Sequence, residues 1–135
     1  MKMRILVIDD EEILIKTFSR LLTREGYEVS TATRGEDAVQ LADGREFQLI
    51  LCDVRMPGLS GVETIKRIQT KRVEKREPHI PIVFLTGFAD KALEAEAQQL
   101  NPAAYIYKPF DAPKLLEVIR RTLTDGKGPF NQHEI

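Results

Sequence analysis

The sequence contains no tryptophan and is poor in cysteine and histidine: Cys52, His79 and His133 are all it has. One cysteine cannot form an internal disulfide, which fits a reducing compartment, and its place in an apolar run predicts a buried small side chain. The spacing of the two histidines fits neither a paired metal site nor a catalytic triad. We therefore expect the chemistry of the chain to rest on carboxylates, hydroxyls and amines.

Long apolar runs, glycine-rich phosphate loops and a strong net charge are missing as well. The apolar stretches Ile5–Ile8 and Ile80–Leu85 are too short to cross a bilayer, and Met1–Arg4 leads straight into a strand-like run, so no signal peptide is expected. Neither G-x-x-x-x-G-K-S/T nor G-x-G-x-x-G occurs, so nucleotide binding has no support. A net charge of −1 argues against nucleic-acid binding. These absences favour a cytoplasmic protein that binds neither membranes nor nucleic acid directly.

One basic stretch is the local exception to this charge balance. Glu74 and Glu77 interrupt it and no aromatic residue lies within it, so a solvent-exposed helix face is a better interpretation than a nucleic-acid site. Its six cations are Lys66, Arg67, Lys71, Arg72, Lys75 and Arg76.

Short apolar runs alternate with helical patterns five times along the chain. Thr33 with Glu36, and Ser60 with Glu63, resemble capping boxes that open the second and third helices. Because the strands are almost continuously apolar and the connections are short, we predict a doubly wound α/β fold: a five-stranded parallel sheet with helices on both faces. The predicted strands cover residues 4–8, 28–32, 47–52, 82–85 and 104–107.

The length fits a single domain. We assign residues 1–124 to this domain and residues 125–135 to a C-terminal tail or the start of a linker, because Gly126–Pro129 resembles linker sequence. Whether the chain stands alone or belongs to a longer protein stays open.

Reactive side chains follow four of the five predicted strands. Asp9 and Asp10 come after the first strand, Asp53 after the third, Thr86 after the fourth and Lys108 after the fifth. In an open α/β sheet, ligands bind beyond the carboxyl ends of the strands, so we expect these groups at one edge. Taken singly, the first two could only cap a helix and Asp53 could only start a turn.

Taken together, these groups suit phosphoryl chemistry on a carboxylate. Three clustered carboxylates repel one another and favour a bound cation, and oxygen ligands in this number suit Mg²⁺. A carboxylate can accept a phosphoryl group. The metal, the hydroxyl of Thr86 and the ammonium of Lys108 would then stabilise the charge on the transferred group.

Four segments, in this order and at these strand ends, resemble the signature of bacterial two-component receiver domains. The resemblance covers residues 4–124 and implies the flavodoxin-like strand order 2-1-3-4-5. Two features vary from the family pattern: Asn101–Ala104 stands where a Gly-Ala pair is common, and the charged segment 71–77 extends the third helix. The four segments are Asp9-Asp10, Asp53–Gly61 (DVRMPGLSG), Leu85–Gly87 (LTG) and Tyr105–Phe110 (YIYKPF).

The resemblance implies a role for each residue around the metal. Asp53 is the phosphoacceptor and also a metal ligand. Asp10 is expected to bind Mg²⁺ directly and Asp9 through water, while the backbone carbonyl of Arg55 completes the protein's ligands. Arg55 and Phe88, two positions beyond Asp53 and Thr86, are expected to tune the lifetime of the phosphorylated state.

The resemblance also implies a switch. Thr86 and Lys108 would contact the phosphoryl oxygens, with Lys108 aimed by a cis peptide bond to Pro109. Tyr105 is the expected switch aromatic, which moves inward when Thr86 is drawn toward the phosphate. The expected output surface is the fourth helix, the fifth strand and the fifth helix.

The function implied is a phosphorylation-dependent signalling switch of a two-component phosphorelay. The partners would be a sensor histidine kinase or phosphotransfer protein, with an output domain, a target protein or a second copy of the chain downstream. No enzyme activity is expected beyond self-catalysed phosphotransfer to Asp53 and autodephosphorylation. Two alternatives stay open: a Mg²⁺-dependent phosphatase, although Arg55 stands where its second carboxylate would be, and a binding module that is never phosphorylated.

Overall fold

Five strands and five helices alternate along the chain in the computed structural model, which describes residues 2–87 and 89–125. Phe88 and residues 126–135 lie outside that range, so the tuning role of Phe88 and the linker character of the tail stay predictions. Among the described residues, no helix combines the length and the apolar character that a bilayer crossing requires. The elements are β1 Arg4–Ile8, α1 Glu12–Arg24, β2 Glu28–Ala32, α2 Gly35–Ala42, β3 Leu49–Asp53, α3 Gly61–Glu74, β4 Ile82–Thr86, α4 Lys91–Gln98, β5 Ala104–Tyr107 and α5 Ala112–Asp125.

The five strands form one parallel sheet in the order β2-β1-β3-β4-β5. This confirms the doubly wound α/β fold and its flavodoxin-like order. At the carboxyl edge, Ile8 of β1 pairs with Cys52 of β3, and Asp53 pairs with Leu85 of β4. The register therefore brings the ends of β1, β3 and β4 level with one another.

Two apolar cores lie on the two faces of this sheet. Successive strand residues point to opposite faces, so Leu6 and Ile8 join the core beneath α2, α3 and α4, whereas Ile5 and Val7 join the core beneath α1 and α5. Every residue of β3 and β4 is buried, and the near-continuous apolar runs predicted this for all but Asp53 and Thr86, the polar residues that end the two strands. Cys52 is fully buried, which confirms the expectation for the single thiol.

The capping box predicted at Ser60 is confirmed on its N-cap side. Ser60 Oγ accepts a hydrogen bond from the backbone N–H of Glu63 at 3.1 Å, and α3 begins at the next residue, Gly61. The loop between β3 and α3 is thereby fixed at its far end, where the chain enters α3.

The capping box predicted at Thr33 is wrong. Helix α2 begins at Gly35, and its N-cap is Arg34, whose side chain makes no capping hydrogen bond. Close packing governs this helix start instead, because a Cβ atom on Gly35 would lie 2.2 Å from Thr64 Oγ1 of α3. The absence of a side chain, rather than a cap, lets the first turn of α2 approach α3.

The basic stretch is not uniformly solvated, so its interpretation as an exposed face is wrong for one residue. Arg72 is 5% exposed, and its Nε donates a hydrogen bond to the carbonyl of Pro78 at 2.6 Å. Its guanidinium also lies 3.7 Å from Glu77. Lys75 pairs with Asp43, the C-cap residue of α2. Arg72 therefore binds the connection between α3 and β4, and Lys75 binds the end of α2.

Gly61 permits a close approach that positions the candidate site. A Cβ atom here would lie 1.9 Å from the backbone oxygen of Asp53, and the Gly61 N–H donates to the Val54 carbonyl at 2.8 Å.

We therefore expect Gly61→Ala to lower the free energy of unfolding by about 3 kcal/mol, because backbone atoms must move. Urea unfolding followed by circular dichroism measures this. Gly87→Ala is the control, since its Cβ would meet only Lys108 Cδ at 4.0 Å; an equal loss in both variants would contradict the prediction.

Candidate functional site

The backbone ladder continues beyond the strand ends and holds the candidate residues at the carboxyl edge. The N–H of Asp9 donates to the Ala32 carbonyl at 3.1 Å, and the N–H of Lys108 donates to the Thr86 carbonyl at 2.7 Å. Asp53 is the last residue of β3 and Thr86 is the last residue of β4. The positions of these side chains are therefore set by the sheet itself rather than by loops alone.

Three carboxylates converge at this edge. One oxygen from each of Asp9, Asp10 and Asp53 lies within 4.8 Å of the other two. Asp9 is 1% and Asp53 5% exposed, whereas Asp10 is open to solvent. An oxygen-only cluster that is buried on one side and open on the other fits a hard divalent cation such as Mg²⁺, which keeps several waters. Arg55 lies two residues beyond Asp53 in the loop before α3, with an exposed side chain; the role of its carbonyl as a ligand stays a prediction.

Lys108 places a positive charge beside these carboxylates. Its Nζ lies 3.0 Å from Asp9 Oδ2, 3.3 Å from Glu11 Oε1 and 3.5 Å from Asp53 Oδ2. The peptide bond to Pro109 is cis, as expected. Glu11 was missed as a contact of this lysine, although its position directly after the aspartate pair was an available signal.

The electrostatics of the cluster favour a cation. Burial raises the pKa of Asp53 to about 7, with contributions from the charges of Asp9 and Asp10, and Lys108 opposes the shift. Burial also raises the pKa of Asp9, against hydrogen bonds from the Glu11 amide and Lys108. Burial acts to lower the pKa of Lys108, but its hydrogen bond to Asp9 and the charge of Asp53 outweigh that and raise it. One ammonium therefore leaves the carboxylates undercompensated.

Thr86 and Tyr105 lie together beside this cluster. Thr86 is 1% and Tyr105 2% exposed, and the tyrosine ring packs against Phe84 and Tyr107, with centroid separations of 6.2 and 5.6 Å. Burial, followed by the charge of Glu94, raises the pKa of Tyr105 to about 12, while a side-chain hydrogen bond with Thr86 acts in the opposite direction. The two predicted switch residues are thus in contact, with the aromatic ring already turned into the protein.

Comparison with known proteins assigns the chain to a family. The family model described as "Response regulator receiver domain" matches residues 5–120. The chain is a response-regulator receiver domain. Receiver domains typically bind Mg²⁺ at an acidic pocket, and the cluster of Asp9, Asp10 and Asp53 is an acidic pocket of this kind. Membership also implies a kinase or phosphotransfer partner in two-component signalling.

Sequence relatives and solved structures agree with this family. The polar-differentiation response regulator DivK of Brucella ovis is 33% identical over 122 residues, which cover 90% of this receiver and 97% of the relative. A CheY-like receiver domain protein from Methanospirillum hungatei JF-1 superposes with a TM-score of 0.84 at 26% identity, covering 93% of this chain and 96% of that one. A response regulator from Burkholderia pseudomallei, described with a phosphorylated aspartic acid, a calcium ion and citrate, gives a TM-score of 0.76 at 28% identity, covering 93% and 71%.

Asp53 should destabilise the metal-free receiver at neutral and alkaline pH. Folding raises its pKa from 3.8 to about 7, so between these values the folded state binds a proton more readily than the unfolded chain. The free energy of unfolding should therefore fall as the pH rises through this window. We expect Asp53→Asn to remove most of this dependence and to raise the free energy of unfolding at pH 8 by about 1–3 kcal/mol.

Urea unfolding in EDTA between pH 4 and pH 8 measures this effect. Asp43→Asn is the matched control, because a hydrogen bond from Lys75 lowers the pKa of that exposed carboxyl group. The control should give no gain in stability at pH 8. If the wild type were as stable as Asp53→Asn at every pH from 4 to 8, the prediction would be wrong, because burial of the Asp53 carboxylate would not lower the free energy of unfolding.

Proposed function

We propose that this receiver domain is a Mg²⁺-dependent switch in which Asp53 accepts a phosphoryl group from a sensor histidine kinase or phosphotransfer protein. The observation that carries the proposal is the setting of Asp53. Its carboxylate is buried at a strand end, 3.5 Å from the ammonium of Lys108 and clustered with two further carboxylates. The Burkholderia relative, described with a phosphorylated aspartic acid and a calcium ion, supports it.

The transfer balances with the residues at hand. An oxygen of Asp53 forms a bond to phosphorus while the P–N bond of a donor phosphohistidine breaks, and the imidazole nitrogen keeps the electron pair and takes up a proton. Lys108 and Thr86 would hold the phosphoryl oxygens. When bound by Asp10, Asp53 and the Arg55 carbonyl, with Asp9 acting through water, Mg²⁺ would supply further positive charge next to those oxygens.

Thr86 and Tyr105 would pass the change to the surface. A phosphoryl group can shift a two-state equilibrium only by contacting the two states differently. Thr86 links the two regions, because its carbonyl accepts a hydrogen bond from the backbone N–H of Lys108 and its side chain is hydrogen-bonded to Tyr105. The proposed output surface is α4, β5 and α5, where Tyr107 is 46% exposed and donates a hydrogen bond to Glu94. An output domain, a target protein or a second copy of this chain would bind there.

The same proposal includes a cytoplasmic location and no catalysis beyond self-phosphorylation and autodephosphorylation. A hydrolase with a carboxylate nucleophile would need a second carboxylate close behind Asp53, and that position holds Arg55. A module that is never phosphorylated would have no use for the gathered acidic cluster and Lys108.

Incubation with acetyl phosphate and Mg²⁺, followed by intact-mass measurement, tests the proposal. The wild type should gain one phosphoryl group, because Asp53 is the acceptor, whereas Asp53→Asn should gain none. Asp43→Asn controls for a general loss of acidic charge and should behave as the wild type. An unmodified wild type, or equal modification of Asp53→Asn, would refute the proposal, and steady turnover of phosphate esters would indicate a phosphatase instead.

A further inference from the structure

The side chain of Glu11 contacts the candidate site and does not cap the helix that it precedes. Glu11 is the N-cap residue of α1, a position that favours short side chains able to accept a hydrogen bond from the first turn. Its side chain makes no such bond. It turns instead toward Lys108, where Oε1 lies 3.3 Å from Nζ. Helix capping therefore does not explain the direction of this carboxylate.

The three N–H donors of Lys108 face three carboxylates. Asp9, Glu11 and Asp53 lie within 3.5 Å of Nζ, and Lys108 makes no other ion pair within the described part of the chain. Once a phosphoryl group occupies Asp53, one of its oxygens can take over the Asp53 contact. The Glu11 contact does not have to break, so Glu11 keeps neutralising part of the ammonium charge throughout the reaction.

Resting on the proposed phosphorylation of Asp53, we propose that Glu11 is a specificity-determining residue that disfavours free anionic phosphodonors. It shares the charge of Lys108, and so weakens the attraction of the pocket for a small dianion that has no other contacts. A protein donor binds through a larger surface and depends less on this single ammonium. Glu11 thereby biases the receiver toward phosphorylation by a partner protein.

The test compares Glu11→Gln with Glu12→Gln. Gln keeps the shape of the side chain but removes its charge. Glu12 is the matched control, an exposed acidic residue in the same helix turn with no ion pair to Lys108. Acetyl phosphate, a dianion near neutral pH, and phosphoramidate, which carries less negative charge, are used at saturating Mg²⁺, and phosphorylation is followed by intact mass.

Glu11→Gln should lower the acetyl phosphate concentration for half-maximal rate by about two- to fivefold, the range expected for an exposed ion pair. The maximal rate should stay within about twofold, because the charge acts on the bound donor and on the transition state alike. The effect should be smaller with phosphoramidate and should shrink at high salt. Glu12→Gln should match the wild type.

Three outcomes would overturn the inference. Identical half-maximal concentrations for Glu11→Gln and Glu12→Gln would show that Glu11 has no influence on donor binding. A lower maximal rate with an unchanged half-maximal concentration would show that Glu11 places Lys108 for the reaction instead of shielding it. A wild type that gains no phosphoryl group from either donor would overturn the proposed function first, and this inference with it.

Discussion

The candidate site and its proposed chemistry depend on an imbalance of charge at one edge of the sheet. Asp9 and Asp53 are almost completely buried, and the described part of the chain places one ammonium, that of Lys108, within 3.5 Å of both. Asp10 and Glu11 add negative charge at the rim. Burying carboxylates that repel one another is unfavourable unless protons, cations or hydrogen bonds compensate them. The two apolar cores on either side of the sheet provide the stability that lets the domain hold this arrangement. The site is therefore ready to bind positive charge before any ligand arrives.

The sheet topology explains how residues far apart in sequence come to share this edge. Parallel strands point their carboxyl ends the same way, so Asp9, Asp53 and Lys108, each at or just beyond a strand end, become neighbours without any long loop. The central position of β3, between β1 and β4, places Asp53 in the middle of the group. Hydrogen bonds of the ladder then limit how far each residue can move.

Much of this could be predicted from the sequence, because the signals were local. The strands Arg4–Ile8, Glu28–Ala32 and Ala104–Tyr107 match their predicted bounds, since each is a short extended run between turn or helix signals. The gathering of the site residues followed from the predicted parallel sheet, whose strands end at one edge, whereas the strand order came from the resemblance to receiver domains. The predictions that failed depended on tertiary contacts. Helix α2 begins at Gly35 because a side chain there would collide with Thr64 of α3, and no sequence pattern indicates this close packing. The turn of Glu11 toward Lys108 depends in the same way on a partner that is distant along the chain. The buried guanidinium of Arg72 instead bonds to the carbonyl of Pro78, which is near in sequence but lies beyond the end of the helix.

The division of the interior into two cores gives the two faces of the sheet different tasks. Tyr105 packs with Phe84 in the core beneath α2, α3 and α4, whereas Leu51 and Val83 belong to the core beneath α1 and α5. A change in side-chain volume in the first core alters the packing around the Tyr105 ring directly. A change in the second core affects that ring only through the backbone of the strands. Related proteins could therefore diverge in signal response by repacking one layer while the opposite layer keeps the scaffold unchanged.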